Sequence, residues 1–479
     1  MSLDPPPYLN SLQNNIRARP IPWEGAVRAG TITDNDLKKI KAVDKVRKEQ
    51  RKQTVDADTD AYRSLLIGGP HGKSVLESAS NRADVIQYML VLTGDLINDV
   101  PSLTPSLLEH SEPYRPFIPL LSQSNNPEDP ISLLTSTVLA SLLSSAQIQF
   151  PKSNVQLDAA LPKLYKYLST LTKSQDSAFQ DIAVQEYSAL LRTKKARELF
   201  WDQREETVSP LMDILRAAVG AGKDSDSTML SGATSIRGID AGLSGGVGLQ
   251  LLYHVLLVIW QLSFEGSLVG TGLEREQEIL PLYTQLLRLS PKEKTTRLLL
   301  STLLNLLTPS QNRTTLLPLA TTARLPALLT NLKARHLTDP DLLDDLNSLT
   351  DLLADYTSSQ TTFDEYSAEV LNGHLRWSPP HRDAAFWREN ARKILDENQG
   401  EIPKKLAEIM GKEWEDDKKV LAIGCNDVGW LVKEVPEHRS QLEKVGLKAR
   451  VMELMADKDE SVRWESLRAV GEWLRYSFD

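Results

Sequence analysis

The 479-residue sequence predicts an all-α, helical-repeat protein of two domains. Three observations carry that reading. Leucine-rich stretches of about 12–18 residues follow one another, with apolar residues recurring on the helical period. Aromatic residues are only 6% of the chain, whereas strands favour aromatic and β-branched side chains, and no stretch alternates with period two for long. The last part of the chain also repeats itself at an offset of 42: Asp417 falls on Asp459, Val420 on Val462, Val428 on Val470, Gly429 on Gly471, and basic Lys433 on Arg475. That offset is close to the period of armadillo and HEAT repeats, so the expected architecture is an armadillo/HEAT-like solenoid.

The first 30 residues are rich in proline and glycine and are expected to lie extended. From Asp34 to Lys52, Leu37, Ile40, Val43 and Val46 recur every three residues and predict one amphipathic helix. Lys38, Lys41 and Lys45, with further Lys and Arg, fill its other faces. This is either a solvated face or a basic helix that docks an acidic partner or an anionic surface. Helices are expected near Asp84–Asn98, Ile131–Gln147, Leu157–Thr172, Ala178–Leu191 and Thr207–Val219. Residues 220–248 are rich in Gly, Ser and Asp and read as a mobile loop. Helices resume at Leu249–Phe264, Gln277–Leu289, Pro291–Leu307 and Asp341–Tyr356. The polar run from Thr357 to Thr362 marks a boundary. The expected domains are 1–355 and 363–479, joined by a linker at 356–362. In the final repeat Asp417 and Asp459 are expected to cap helix N-termini. The glycines allow close helix approach, and Arg463 is placed to bridge to an acidic group of a neighbouring repeat.

Composition excludes several classes. A single core stops growing at about 250–300 residues, which argues for more than one. A net charge of −9 and a pI near 5.5 lack the basic footprint of nucleic-acid binding. One cysteine, Cys425, forms neither an intramolecular disulfide nor a cysteine zinc site, which fits a reducing compartment. The prolines at 5–7 with no apolar core after them argue against a signal peptide. No stretch is expected to span a bilayer: the most apolar, Leu249–Leu262, is interrupted by Gln250, His254 and Gln261 and reads as a buried helix.

Catalytic motifs fail in detail. Gly72-Lys73-Ser74 has Ile67 where a phosphate loop needs glycine, and Pro70 removes a backbone donor. Gly242-Leu243-Ser244-Gly245-Gly246 matches a nucleophile elbow but follows no hydrophobic strand. Gly246-Val247-Gly248 has Leu251 in place of the third glycine of a dinucleotide fingerprint. The seven histidines are scattered singly. Asp339, Asp341, Asp344 and Asp345 read as a helix start with a solvated face, or as a contact for a basic partner helix. No catalytic site, cofactor or metal is expected.

From Phe363 a series of residues takes on a family character. Phe363-Asp364-Glu365-Tyr366, Gly373-His374-Leu375-Arg376-Trp377-Ser378-Pro379 and Phe386-Trp387-Arg388-Glu389-Asn390 are followed by Leu421-Ala422-Ile423-Gly424-Cys425-Asn426-Asp427-Val428-Gly429. The series closes with Gly446-Leu447-Lys448, Val451-Met452-Glu453-Leu454-Met455 and Val462-Arg463. It resembles the C-terminal domain of the H subunit of vacuolar-type proton-pumping ATPases. Fainter echoes lie at 83–98, 249–260 and 292–297.

The resemblance implies a regulatory subunit without catalysis of its own, peripheral on the cytoplasmic face of the vacuolar and other endomembranes, and cytosolic when the soluble sector is released. It implies that the N-terminal domain binds the E and G subunits of the peripheral stalk. The C-terminal domain contacts the cytosolic N-terminal part of the membrane-embedded "a" subunit. In the inhibited state it contacts rotor and catalytic subunits of the soluble sector. Neither nucleic acid nor direct membrane insertion is implied. The candidate partner contacts are Trp377, Phe386, Trp387, Arg388, Glu389, Asn390 and Asp427, together with Lys38, Lys41 and Lys45 of the basic helix. Phe386, Trp387 and Trp377 suit a core as well as an interface, while Arg388, Glu389 and Asp427 are expected to be exposed. A generic armadillo/HEAT adaptor is the alternative, although no tryptophan here has Asn four residues on, as import-type arrays require.

Overall fold

A computed structural model describes residues 6–69, 72–124, 126–150, 154–220, 248–290, 292–359, 361–414 and 417–475. Among these residues there are twenty-eight α-helices and a few 3-10 turns, and no strand. The chain is an all-α, armadillo/HEAT-like helical-repeat protein. Two compact units are present: one comprises the described residues of Met1–Leu215 and Gly246–Glu265, the other those of Arg216–Gly245 and Gly266–Asp479.

In the first unit the expected helices appear at Ala83–Asp99, Pro130–Gln149, Val155–Thr172, Ser177–Leu190 and Leu249–Ser263. A second apolar helix, Pro130–Gln149, bears on the membrane expectation beside Leu249–Ser263. Pro130–Gln149 is long and apolar enough to cross a bilayer, yet 78% of its most apolar stretch is buried inside the protein. Its hydroxyls are satisfied locally. Thr135 donates to the Ile131 carbonyl at 2.7 Å and Ser136 to the Leu133 carbonyl at 2.9 Å, so the helix is a core element whose polar groups need no water.

The N-terminal segment is helical rather than extended. Helices span Pro7–Ala18 and Trp23–Arg28, burying Leu9, Ile16, Trp23 and Ala26. Pro7 occupies the first helical position, where a missing N–H costs nothing because that donor has no intrahelical acceptor. Proline content therefore marked a helix start and not a coil.

The basic stretch after Asp34 is two helices, Asp34–Val43 and Lys48–Ala57. Thr33 and Asp36 form a capping box, each side chain accepting from the other's backbone N–H at 3.1 Å. Asp44 leaves the helix and Lys45 takes a left-handed φ of 53°, so the apolar spacing continues through Val46 across a break. Arg51 folds back onto this break, donating to the Val43 carbonyl at 3.1 Å and pairing with Asp99 at 2.7 Å.

In the second unit the helices Ile279–Leu289, Glu293–Leu307 and Pro340–Ser359 follow the predicted order. Arg297 pairs with Asp339 at 3.3 Å and with Asp341, and the Asp339 side chain accepts from the Asp341 and Leu342 backbones. The acidic helix start is thus capped and charge-paired within its own fold. The polar run after Tyr356 is mostly helical: one helix continues to Ser359 and the next, Thr362–Leu371, is capped by Thr361. The glycine-rich segment at 220–248 lies, apart from Gly220 and Gly248, outside the described residues, as does the Gly242–Gly246 motif.

The 42-residue repeat is a pair of long helices, Lys418–Glu434 and Glu460–Arg475, packed on each other. A Cβ added to Gly429 would stand 3.3 Å from the Cα of Ala469, so here the glycine does permit close approach. The two aspartates behave differently. Asp459 accepts from the Ser461 and Val462 backbones at 2.9 and 3.1 Å, whereas Asp417 makes no side-chain cap. Arg463 stays within its own turn, donating to the Asp457 and Lys458 carbonyls. Replacing Asp459 by Ala should therefore cost about 1 kcal/mol in denaturant unfolding, and Asp417→Ala should lack that capping loss.

Candidate functional site

The candidate contact residues of the C-terminal region divide by burial. Phe386 and Trp387 sit in the core at 3% and 0% exposure. Both come from the helix Ala384–Asp396, which Asp383 caps by accepting from the Ala385 N–H at 2.9 Å. Trp387 stacks on Trp430 with ring centroids 6.4 Å apart and meets Tyr366 and Phe386 edge-on. Arg388 and Glu389, one step around the helix, are exposed. Asn390 is half-buried and donates to the Phe386 carbonyl at 2.9 Å. Trp377 is half-buried, with the Arg382 guanidinium 4.8 Å above its ring.

Asp427 departs from expectation. It was expected to be exposed, and it is fully buried. The reason lies around it. Its carboxylate receives His381 Nδ1 at 2.8 and 2.9 Å, Asn426 Nδ2 at 3.0 Å and the Tyr366 hydroxyl at 3.4 Å. The other ring nitrogen of His381 faces Glu369 Oε1 at 3.3 Å. Glu369 is held in turn by the Ser378 hydroxyl at 2.8 Å and the Arg376 backbone N–H. Asn426 donates to the His381 carbonyl at 2.9 Å and accepts from Arg468.

Both imidazole nitrogens thus face carboxylate oxygens, so both donate and His381 is an imidazolium. Burial alone would strip its proton. The Asp427 and Glu369 charges and hydrogen bonds outweigh this and raise its pKa to about 10. The network pins the Gly373–Arg382 approach onto the Lys418–Glu434 helix through groups 12 and 46 residues from His381. It is a buried structural centre rather than a surface contact. Sequence reasoning missed it because each histidine stood alone.

The basic residues of the N-terminal region are on the surface. Lys38, Lys41 and Lys45 are all exposed, and Lys41 pairs with Glu24 at 3.1 Å. The helix break moves Lys45 off the helical face that carries Lys38 and Lys41. The Gly72-Lys73-Ser74 motif is a helix start. Ser74 and Glu77 form a capping box, and Arg115 donates to the Gly72 carbonyl at 3.3 Å and to Glu77 at 3.0 Å.

Comparison with known proteins places these features in a family. Two family models, each described as the V-ATPase H subunit, match residues 7–353 and 359–478. The V-type proton ATPase H subunit of Drosophila melanogaster is 25% identical over 470 residues, covering 97% of this chain and 89% of that protein. A protein of Oryza sativa subsp. japonica, named as a probable V-type proton ATPase H subunit, is 27% identical over 470 residues, covering 95% of this chain and 94% of that protein. Among solved structures, a designed armadillo repeat protein is 13% identical and covers 64% of this chain and 99% of its own, at a TM-score of 0.26. With both of its models matched in order across nearly the whole sequence, the chain belongs to the V-ATPase H-subunit family.

Proposed function

We propose that this chain is the non-catalytic regulatory subunit of a vacuolar proton-pumping ATPase, peripheral on the cytoplasmic face of the membrane. It bridges the peripheral stalk, formed by the E and G subunits, to the cytosolic N-terminal part of the membrane-embedded "a" subunit. In the assembled pump it is needed for ATP-driven proton transport. On the detached soluble sector it braces rotor against stator and suppresses ATP hydrolysis. The observation that carries this reading is the match of a single family to both 7–353 and 359–478.

The physical reading supports it in three ways. Bridging and inhibition need contact energy rather than chemistry, and roughly 5 kcal/mol of differential affinity moves a two-state equilibrium from one extreme to the other. Exposed Arg388 and Glu389 stand on a helix whose opposite face is locked into an aromatic core, so they are presented rigidly. Lys38, Lys41 and Lys45 offer a cationic N-terminal surface to an acidic stalk helix. The domains proposed for these roles are 1–355 and 363–479, meeting at 356–362.

The test is ATP hydrolysis by a soluble sector purified without its H subunit, with and without the full chain. The expected result is co-sedimentation and suppressed hydrolysis. The charge-reversed variant Arg388→Glu with Glu389→Lys should still sediment with the sector and suppress less. A chain that does not sediment with the sector at all would sink the proposal.

A further inference from the structure

The helix Glu460–Arg475 buries Val462, Ser466, Ala469 and Trp473 and turns a second apolar stripe outward. Trp464 is 67% exposed, Leu467 50% and Leu474 53%. Gly471 completes the stripe, and a Cβ built there meets nothing within 4 Å. The spacing 464, 467, 471, 474 is one face of an α-helix over three turns. Exposed apolar side chains scattered singly need no explanation, but a continuous stripe does.

The internal repeat says what such a stripe is for. Moved back by 42 residues, Trp464, Leu467, Gly471 and Leu474 fall on Ala422, Cys425, Gly429 and Val432, all of them buried. Gly429 is the residue whose missing Cβ lets the backbone of Ala469 approach. Ala422, Cys425 and Val432 lie seven before, four before and three after it, on the same side of their helix. One repeat earlier, therefore, this face receives the next helix of the array. At Glu460–Arg475 the same face is open, with its glycine in register and larger apolar side chains around it.

Charge narrows the occupant. Arg468 and Arg475 flank the stripe two turns apart; Arg468, 44% exposed, also donates to Asn426 of the preceding long helix, while the Arg475 side chain is 63% exposed. Their intrahelical partners, Glu465 and Glu472, are only 14% and 16% exposed, so the charge turned outward is positive. A second copy of this chain pairing antiparallel across Gly471 would bring arginine near arginine, which disfavours a homodimer.

We propose that this face docks an amphipathic α-helix of another pump component, packing as the next helix of the repeat. That helix carries small apolar residues opposite Gly471 and a carboxylate opposite Arg475. The identity of the assembly rests on the function proposed above. The face itself rests on the repeat and its burial pattern.

The test places a photo-crosslinking phenylalanine analogue at Trp464 or Leu474 of the full chain, with exposed Glu401 as a control position. Each chain is mixed with the soluble and membrane sectors of a pump purified without its H subunit, and crosslinked peptides are mapped. The expected result is one acidic amphipathic segment of another pump component crosslinked from both 464 and 474 and not from 401. Adding Gly471→Trp, which meets open space in the free chain, should lower that yield by about tenfold or more with unfolding unchanged. Crosslinks only to lipid, only to another copy of this chain, or to no single segment, while the chain still sediments with the pump, would overturn the docking site. A wild-type chain that does not sediment with either sector fails the family-level function instead, and the docking proposal falls with it.

Discussion

Asp427→Ala should lower the stability of the chain by about 3–5 kcal/mol, measured by denaturant unfolding, because it leaves the buried His381 cation without its main partner. The size follows from what is removed. Asp427 accepts from His381, Asn426 and Tyr366 in a site from which water is excluded. After truncation these donors face a cavity, and the charge between them loses its strongest attraction. Asp427→Asn keeps the shape and should cost less, although it too leaves His381 facing Glu369 alone. Arg382→Ala makes a useful contrast. Arg382 is exposed and stacks on Trp377 at the rim, so its loss should stay near 0.5–1 kcal/mol.

The same network sets a pH signature. The pKa of His381 is raised in the folded chain, from an ordinary value near 6.5 to about 10. Its contribution to stability is therefore complete below about pH 6.5, where folded and unfolded chains both hold the proton. It declines by about 1.4 kcal/mol per pH unit above that, and is gone once pH passes about 10. Unfolding measured between pH 7 and 9.5 should show this decline in the wild type and a shallower one in Asp427→Asn, where the folded pKa sits lower. An equal slope in both proteins would mean that Asp427 does not hold the proton on His381.

Much of this fold could be read from the sequence, and the misses have physical causes. The helices Ala83–Asp99, Val155–Thr172 and Ser177–Leu190 were legible because each carries apolar residues at helical spacing over three turns or more, while the short helix Leu103–Leu108 between them, under two turns long, gave no such signal. The basic stretch misled because Val46 keeps the spacing of Leu37, Ile40 and Val43 across a break. The left-handed Lys45 that makes the break is not a glycine and gives no warning. The N-terminal helices were hidden by proline, which signals both a coil and a helix start. The polar centre was hidden for a different reason. Glu369, His381 and Asp427 meet only when three helices pack, and nothing in their spacing marks them. The signal that was available is Asp427 itself. It stands among Ile423, Cys425, Val428 and Leu431, on a helix with almost no polar face, where a carboxylate requires a buried partner. Reading Asp427 as exposed ignored that constraint.

Trp387→Ala should cost about 3–5 kcal/mol in denaturant unfolding, while Arg388→Ala and Glu389→Ala on the same turn should each stay within about 0.5 kcal/mol. Trp387 is fully buried, stacked on Trp430 and packed edge-on against Tyr366 and Phe386. Truncation removes one of the largest side chains of this core, and the surrounding rings are too rigid to close the space. Its indole N–H has no hydrogen-bond partner among the described residues, so Trp387→Phe removes an unsatisfied donor along with part of the volume and should cost clearly less than the alanine variant. The contrast bears on function as well as folding. If Trp387 works through the core, its alanine variant should weaken suppression of ATP hydrolysis only in proportion to the fraction unfolded, and Trp387→Phe should suppress almost normally. Arg388→Glu with Glu389→Lys should do the reverse, leaving unfolding nearly unchanged and reducing suppression. A Trp387→Phe chain that folds as stably as the wild type yet fails to suppress hydrolysis would instead put the indole at the interface, which its burial among Tyr366, Phe386 and Trp430 argues against.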